Sequence, residues 1–524
     1  MQNIMTDDLA AAALTAQAAL QRGDVKADHH AIIGWASLAA GNDHSAHTSF
    51  HAALSITPRH PDALVGLANI LRRQGSLRDA VLHCDAALAE DPNSLDAWLE
   101  RGFVLASGGS MPAAADCYRR VLELDSANVA ANAGLASILA RDGDSPAGRG
   151  HAETALSIDP DNAVAAAALA TMDLEAGEPQ RVRTALEPLV ARTPGPSADR
   201  ALLANLLGDA CAKLGDADAA YAAYVLSKTD FAAIHADRYK TAAPALEFVQ
   251  RIAAEIQRTL VPKSTGHAQP ANAAANHLFL LGFPRSGTTM AENILASIPG
   301  VSALEERPTL GLADQHFLAE SGGVERFYAL DEPLLQPYRN AYWDSVECAG
   351  LKVSGQCFVD MDPLKATRLP LIAQLFPQAK ILIMRRDPRD VIWSCFHTHF
   401  ALTNAALDFT TLAGTARHYA AMMTLIEQCR ERLPLCIHEV RYEALVREFD
   451  TETRALCDFA SLPWSDALHQ FGATAQRRGV ATASAGQVRK GLYDGSGQWR
   501  PFAKYFEPVM PILAPWIEQL GYEA

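Results

Sequence analysis

The chain has 524 residues, about half of them hydrophobic and a fifth charged, with a formal net charge of −15. That length allows about three domains, and the composition is that of an ordinary globular protein. The negative balance excludes a nucleic-acid binder, which needs a basic face, so any anionic substrate must be held by local positive groups. Nine cysteines are dispersed without a C-x-x-C pair. They are expected to be reduced thiols of a reducing compartment. The first residues, Met-Gln-Asn-Ile-Met-Thr-Asp-Asp, lack the basic start and apolar core of a signal peptide. No apolar run approaches the ~20 residues of a membrane span. The expected location is the cytoplasm, without membrane contact.

The N-terminal half carries a 34-residue period: Pro58, Pro92, Ser126, Pro160 and Pro194 are spaced by that interval. Small and large residues recur in phase between them, as in Leu64, Leu67, Ala68, Ala80, Cys84 and Ala87. Small residues such as Gly34, Ala68 and Gly102 let two antiparallel helices approach, and a large residue on the second helix fills the remaining space. A proline then ends the pair. One pair cannot bury its apolar face alone, so pairs stack. The pattern resembles the tetratricopeptide repeat (TPR). Five repeats are expected over residues 27–194 and a longer sixth over 197–229. A degenerate leading helix is expected over 7–20 and an amphipathic capping helix over 240–260. Residues 261–276, with Pro262, Ser264, Gly266 and Pro270, read as a linker.

The texture then changes. Strand-like runs at 278–282, 349–353, 380–384 and 435–440 alternate with helical patterns at 287–297, 388–398, 408–431 and 451–460. This alternation predicts a parallel sheet flanked by helices. The expected organisation is therefore an all-α repeat region over 1–260, a linker over 261–276 and an α/β domain over 277–524.

The first of those strands leads into Gly282-Phe283-Pro284-Arg285-Ser286-Gly287-Thr288-Thr289. Strand, glycine-bounded turn and helix N-terminus together make an anion cradle. The spacing is nearly that of a nucleoside-triphosphate loop, but Thr288 stands where the lysine for the β- and γ-phosphates belongs. This counts against a kinase, which would also need a magnesium-binding acid. The loop resembles the 5′-phosphosulfate-binding loop of the sulfotransferases that use 3′-phosphoadenosine 5′-phosphosulfate (PAPS). The resemblance implies a P-loop-like α/β sulfotransferase domain. It assigns the phosphosulfate to Arg285, Ser286, Gly287, Thr288 and Thr289.

The remaining site residues follow from that resemblance. Tyrosylprotein sulfotransferases have a Glu-Glu pair whose second member lies 21 residues after the loop arginine. Glu306 stands 21 after Arg285, which implies that it is the base that takes the acceptor's proton, with Glu305 as the alternative. A family lysine, usually within Asp-Lys-x-Pro at a strand end, stabilises the leaving group. Lys352 in Gly350-Leu351-Lys352-Val353 is placed there, although its flanks depart from the motif. The strand ending in Arg386, with Ser394 eight residues on, resembles the 3′-phosphate-binding element. Forked arginine bonds and a hydroxyl suit a phosphate. Arg441-Tyr442-Glu443 resembles the family segment that brings Tyr442 to the nucleotide. The stretch 482–488 with Trp499 resembles its closing tail, with Ser484 as a phosphate ligand. Gln498 stands where a basic residue is usual, so Arg489 or Lys490 is the substitute.

No metal is required. Cys395, His397 and His399 sit on one expected helix, where only Cys395 and His399 share a face. The chain is thus similar to bacterial repeat-containing sulfotransferases related to the tyrosylprotein enzymes. That implies sulfuryl transfer from PAPS to a hydroxyl, first of all a tyrosine in a protein or peptide. The alternatives are a carbohydrate or small-molecule hydroxyl, or an inactive interaction protein. The repeats are expected to present the acceptor or bind a partner; a homodimer scaffold is the other reading.

Overall fold

The computed structural model describes residues 6–143, 145–241, 245–261, 270–478, 485–489 and 491–523. They form two compact units, residues 1–193 and 194–524.

In the first unit a leading helix, Thr6–Gln21, precedes five antiparallel pairs. These are Ala27–Ala39 with Asp43–Ile56, Pro61–Arg73 with Leu77–Glu90, Leu95–Ser107 with Met111–Leu124, Val129–Asp142 with Ser145–Ile158, and Ala163–Glu175 with Pro179–Arg192. The turns inside the pairs place Gly41, Gly75, Gly109, Gly143 and Gly177 in the left-handed region, again 34 apart. Only glycine enters that region without cost. Ser94, Asn128 and Asn162 cap the first helix of successive pairs by accepting its N3 amide. Phe50 is wedged between Gly34 of its own pair and Gly66 of the next, and Tyr118 likewise between Gly102 and Gly134. A Cβ at Gly66 would lie 2.2 Å from the Phe50 ring, so the small residues are sockets for aromatic knobs.

The second unit opens with helices Ala198–Lys213 and Ala217–Ile234, then Ala245–Arg258. Of the expected linker, residues 262–269 lie outside the described residues. In packing, however, the three helices ahead of it belong to the α/β body. Tyr224, Val249, Ile252 and Ile256 share one core with Trp343, Phe376 and Phe396.

The sheet has five parallel strands: β1 (Asn276–Leu281), β2 (Val301–Glu305), β3 (Cys357–Met361), β4 (Lys380–Arg385) and β5 (Cys436–Arg441), in the order β2-β3-β1-β4-β5. β1 is buried on both faces: Phe279 and Leu281 enter the larger core, Leu278 and Leu280 the smaller one with Ile294, Leu456 and Phe471. Helices are found at Thr288–Leu295, Pro388–His397, Leu412–Arg432 and Phe449–Ala460, close to their expected spans.

The strand expected at 349–353 is a correction. That segment is irregular, bounded by Gly350 and Gly355, both at positive φ, and the strand is Cys357–Met361. Leu351 and Val353 supply an apolar texture, but two left-handed residues five apart make a turn, not an extended ladder.

Among the described residues no helix is long and apolar enough to cross a membrane.

Candidate active site

β1 and β4 are neighbours, and their outgoing connections run to opposite sides of the sheet, to β2 and to β5. The crevice beyond their carboxyl ends is the switch point where α/β sheets bind ligands. The two arginine-bearing turns predicted from sequence, after β1 and after β4, meet there.

The turn after β1 is tightly specified. A Cβ on Gly282 would lie 3.0 Å from the Met384 carbonyl oxygen, and one on Gly287 2.8 Å from the Tyr442 ring. Gly287 has φ +103 and caps helix Thr288–Leu295, whose first-turn amides face the crevice side of the loop. Thr288 and Thr289 are buried in that first turn. Ser286 departs from its expected role. Its hydroxyl (2.6 Å) and its amide (3.2 Å) both donate to the Phe283 carbonyl, so the side chain shapes the loop.

Arg285 adopts φ +68, a left-handed conformation that a long side chain rarely takes. The strain is held from outside: Arg386 Nη1 donates to the Arg285 carbonyl oxygen at 2.8 Å. The Arg285 side chain turns to the opposite wall, where Nε donates to Ser394 Oγ at 2.9 Å and Nη2 to Gln487 Oε1 at 3.2 Å. Arg285 thus forms one cluster with Arg386 and Ser394, which lie 101 and 109 positions further along the chain. Burial, and then the Arg386 charge, bring the Arg285 guanidinium down to about 10. Two guanidinium groups this close in a sheltered place call for an anion between them.

Arg386 also donates from Nη2 to the Gly495 carbonyl at 2.6 Å and lies over the Tyr442 ring, 4.6 Å from its centroid. Its buried Nε has no hydrogen-bond partner among the described residues. Tyr442 donates to the Tyr493 carbonyl at 2.6 Å and accepts from the Gly495 amide at 3.1 Å. Asp390 accepts the amides of Gly497 (2.7 Å) and Trp499 (3.1 Å), and Arg389 covers the Trp499 ring at 4.3 Å. The C-terminal tail is therefore folded over the crevice. A solvent-open pocket is lined by Arg285, Gly287, Arg386, Tyr442, Gln487 and Tyr493. Gln498 donates to the Tyr493 hydroxyl at 2.7 Å, so it braces this wall without charge. Ser484 and Lys490 lie outside the described residues.

The acidic candidates lie on the same edge of the sheet. Glu305 ends β2 and pairs in register with Met361 of β3, which in turn is level with Leu280 of β1. Glu306 is therefore two strand spacings, about 10 Å, across from the β1 turn. It has φ +46 and its amide donates to the Met361 carbonyl at 2.7 Å. Glu306 is an exposed residue, and its carboxyl group is crowded by acids. Desolvation, then Asp362, Glu305 and Glu292, raise it to about 7. A carboxylate poised near neutrality is a competent proton acceptor.

Lys352 is not part of this site. It is exposed in the turn ahead of β3, at the opposite edge of the sheet from Arg285. The sequence placed it wrongly because β3 was phased several residues too early. The true end of β3 reads Asp360-Met361-Asp362-Pro363, and the nearby lysine is Lys365, which is buried and bonded to Asp360, Arg307 and Thr309. The signal missed was the spacing Asp-x-x-Pro, with methionine where lysine is usual.

Cys395 is buried and His397 half-buried, both in packing roles: the thiol donates to the Pro284 carbonyl at 3.3 Å, and His397 Nδ1 donates to the Trp393 carbonyl at 2.9 Å. They brace the β1 turn and its facing helix.

Comparison with known proteins finds matches in two parts of the chain. Residues 277–466 match the model of the sulfotransferase family, and the segments 33–94, 85–129 and 99–163 match the tetratricopeptide repeat. A protein of Aquifex aeolicus, named only as uncharacterized, is 32% identical over 285 residues, 51% of this chain and 36% of its own length. Protein-tyrosine sulfotransferase 1 of Danio rerio is 27% identical over 260 residues, covering 47% of this chain and 72% of that protein. Protein-tyrosine sulfotransferase A of Caenorhabditis elegans is 25% identical over 263 residues, covering 48% and 68%. The chain thus spans about a third of the length of the Aquifex relative and about two thirds of the animal ones.

Proposed function

We propose that this chain, which joins tetratricopeptide repeats to a sulfotransferase-family domain, transfers a sulfuryl group from PAPS to a hydroxyl, with a tyrosine of a protein or peptide as the leading acceptor. The observation that carries the reading is the convergence of Arg285, Arg386 and Ser394 between the turns after β1 and β4. Two guanidinium groups, an orphaned Arg386 Nε and a glycine-bounded loop suit a nucleotide bearing anionic groups at both ends. Arg285 and the first-turn amides of helix Thr288–Leu295 would hold the 5′-phosphosulfate. Arg386 and Ser394 would hold the 3′-phosphate, with Tyr442 beside them and Ser484 as a further phosphate ligand. PAPS would supply the activated sulfuryl group and leave as adenosine 3′,5′-bisphosphate.

The chain's own residues would do the rest. Glu306 takes the proton of the acceptor hydroxyl. Arg285 and the loop amides meet the charge that develops on the departing phosphate oxygen. The placement of Glu306, 21 residues after Arg285 and on the same sheet edge, favours a tyrosine acceptor, in line with the printed names of the animal relatives. Carbohydrate and small-molecule hydroxyls are the second acceptor class. The repeats would bind the acceptor protein or a partner, and the cytoplasm is the proposed location.

Calorimetry tests the donor. Adenosine 3′,5′-bisphosphate is expected to bind at least tenfold more tightly than adenosine 5′-monophosphate, and Arg386→Ala to erase that difference. Equal affinities in the unaltered chain overturn the assignment. The acceptor is tested by mass spectrometry of peptides and oligosaccharides incubated with isotopically labelled PAPS.

A further inference from the structure

We infer that Lys365 is a positioning residue for Glu306, acting through a buried polar thread that fixes the turn after β2; this rests on Glu306 being the acceptor-side base.

The thread starts at Asp360, a fully buried carboxylate inside β3. One oxygen, Oδ2, accepts from Thr309 Oγ1 and from the Tyr342 hydroxyl, each at 2.8 Å. The other, Oδ1, pairs with Lys365 Nζ. Tyr342 gives its only proton to Asp360, so at its 2.7 Å contact with His277 it must accept, and His277 carries its proton on Nε2. His277 is correspondingly neutral: burial, then the Lys365 charge, bring it down to about 3. Asp360, Thr309, Tyr342 and Lys365 thus each have a defined donor or acceptor role, which makes the thread rigid.

Lys365 Nζ spends its other protons on the 307–309 turn, donating to the Arg307 carbonyl at 3.0 Å and to Thr309 Oγ1 at 3.1 Å. Glu306 is therefore pinned on both sides. Its amide is bonded to the Met361 carbonyl, and the carbonyl of the next residue is held by Lys365. Such pinning is what its left-handed backbone requires, since a glutamate does not choose φ +46 unaided. A lysine with all its protons assigned to a buried carboxylate, a carbonyl and a hydroxyl acts through the turn and not on a ligand.

Lys365 also balances charge. Facing Glu306 are Glu305 from the end of β2, Glu292 from helix Thr288–Leu295 with its partner Arg478, and Asp362 after β3, near Arg368. Among the groups that act on Glu306, the acids raise its proton affinity and Lys365 lowers it.

The test compares Lys365→Met and Lys365→Arg with the unaltered full-length chain. Lys365→Met is expected to bind adenosine 3′,5′-bisphosphate within about twofold of the original, because the thread lies outside the two-arginine cluster. Turnover should fall by about 10²-fold, the scale of a small misplacement of a reacting group. The acid limb of the rate–pH profile should move up, as expected for loss of a nearby opposite charge. Lys365→Arg should recover most of both. A fall in turnover with an unmoved profile means a merely structural lysine and overturns the inference, as does unchanged turnover. The Glu306 carboxyl titration can also be followed by carbon-13 NMR, assigned with Glu306→Gln, and needs no substrate. An upward shift in Lys365→Met supports the inference even if the chain transfers no sulfuryl group, whereas an unmoved titration overturns it. If Lys365→Met does not fold, Thr309→Val, which removes the hydroxyl shared by Asp360 and Lys365 but keeps the lysine charge, is expected to lower turnover with nucleotide affinity intact, and unchanged turnover overturns the inference.

Discussion

The pairs of residues 27–193 and the helices of 194–258 are written in one helical language but bury their faces against different things. The repeats up to Arg192 form small cores of alanine, leucine and one inserted aromatic, as in Ala31, Ala46, Phe50, Ala63 and Leu67. The helices after Pro194 keep the device, since Tyr224 fills the space over Gly208 as Phe50 does over Gly34. Yet their outer faces carry buried polar groups with partners far along the chain. Lys228 Nζ donates to the Thr398 carbonyl at 2.6 Å, and the Leu246 amide to Asp408 Oδ2 at 2.9 Å. Glu255 accepts the amides of Gly322 (3.0 Å) and Val324 (3.1 Å). A repeating period therefore says how helices pair but not what their free faces cover. The last pair and the capping helix are built as a wall of the α/β body.

That contrast is broken most severely by truncation. A chain beginning at residue 262 loses Val249, Ile252, Ala253 and Ile256 from the main core. At about 1.5–3 kcal/mol for each large aliphatic side chain, this approaches the whole 5–15 kcal/mol of a domain. It is expected to give no cooperative thermal transition and no nucleotide binding. A chain beginning at Pro194 is expected to keep both. If the two truncations behave alike, the helices of 194–258 are not part of the body.

The next effect lies in the site itself. Glu306→Gln is expected to leave affinity for adenosine 3′,5′-bisphosphate intact and to lower turnover by about 10²–10⁴-fold, the scale of a lost general base. The sign of the pH dependence follows from the raised carboxyl. With a value of about 7, Glu306 is protonated and idle below neutrality, so turnover rises with pH and levels off above it. A rate–pH profile measured at saturating donor checks this. Turnover that falls between pH 6 and 8 assigns the base elsewhere. The same profile recorded on the chain beginning at Pro194 sharpens the comparison, since the repeats should not move its midpoint.

What the sequence made legible follows the same division between local and distant causes. The turn after β1 and the Arg386–Ser394 spacing could be located because each is a short arrangement between a strand end and the first turns of a helix, whereas the role given to Glu306 came from the family resemblance. β3 was misplaced because its real sequence, Cys357-Phe358-Val359-Asp360-Met361, hides a carboxylate in the core. Only the distant Thr309, Tyr342 and Lys365 make that burial tolerable. The displacement carried Lys352 into the candidate site and left Lys365 out. The division at Thr193 was equally hidden, since helical pairing continues across it in a longer sixth pair.

Two single substitutions set the regions against each other at smaller scale. Glu255→Ala leaves the Gly322 and Val324 amides without their carboxylate, and each such buried donor costs about 1–3 kcal/mol. Denaturant unfolding followed through nucleotide binding should show a loss of about 2–4 kcal/mol in the body, with Glu255→Gln milder. Gly66→Ala acts in the repeats alone. Its new Cβ would fall 2.2 Å from Phe50 Cζ, and on the other side the ring lies against Gly34, where an added Cβ would likewise come within 2.5 Å of it. Overpacking of this kind costs about 1–3 kcal/mol. It should appear as earlier loss of helical circular dichroism from the repeats, while nucleotide affinity stays put. A fall in nucleotide affinity with Gly66→Ala would mean that the first repeats support the site after all, and the contrast between the two regions would no longer stand.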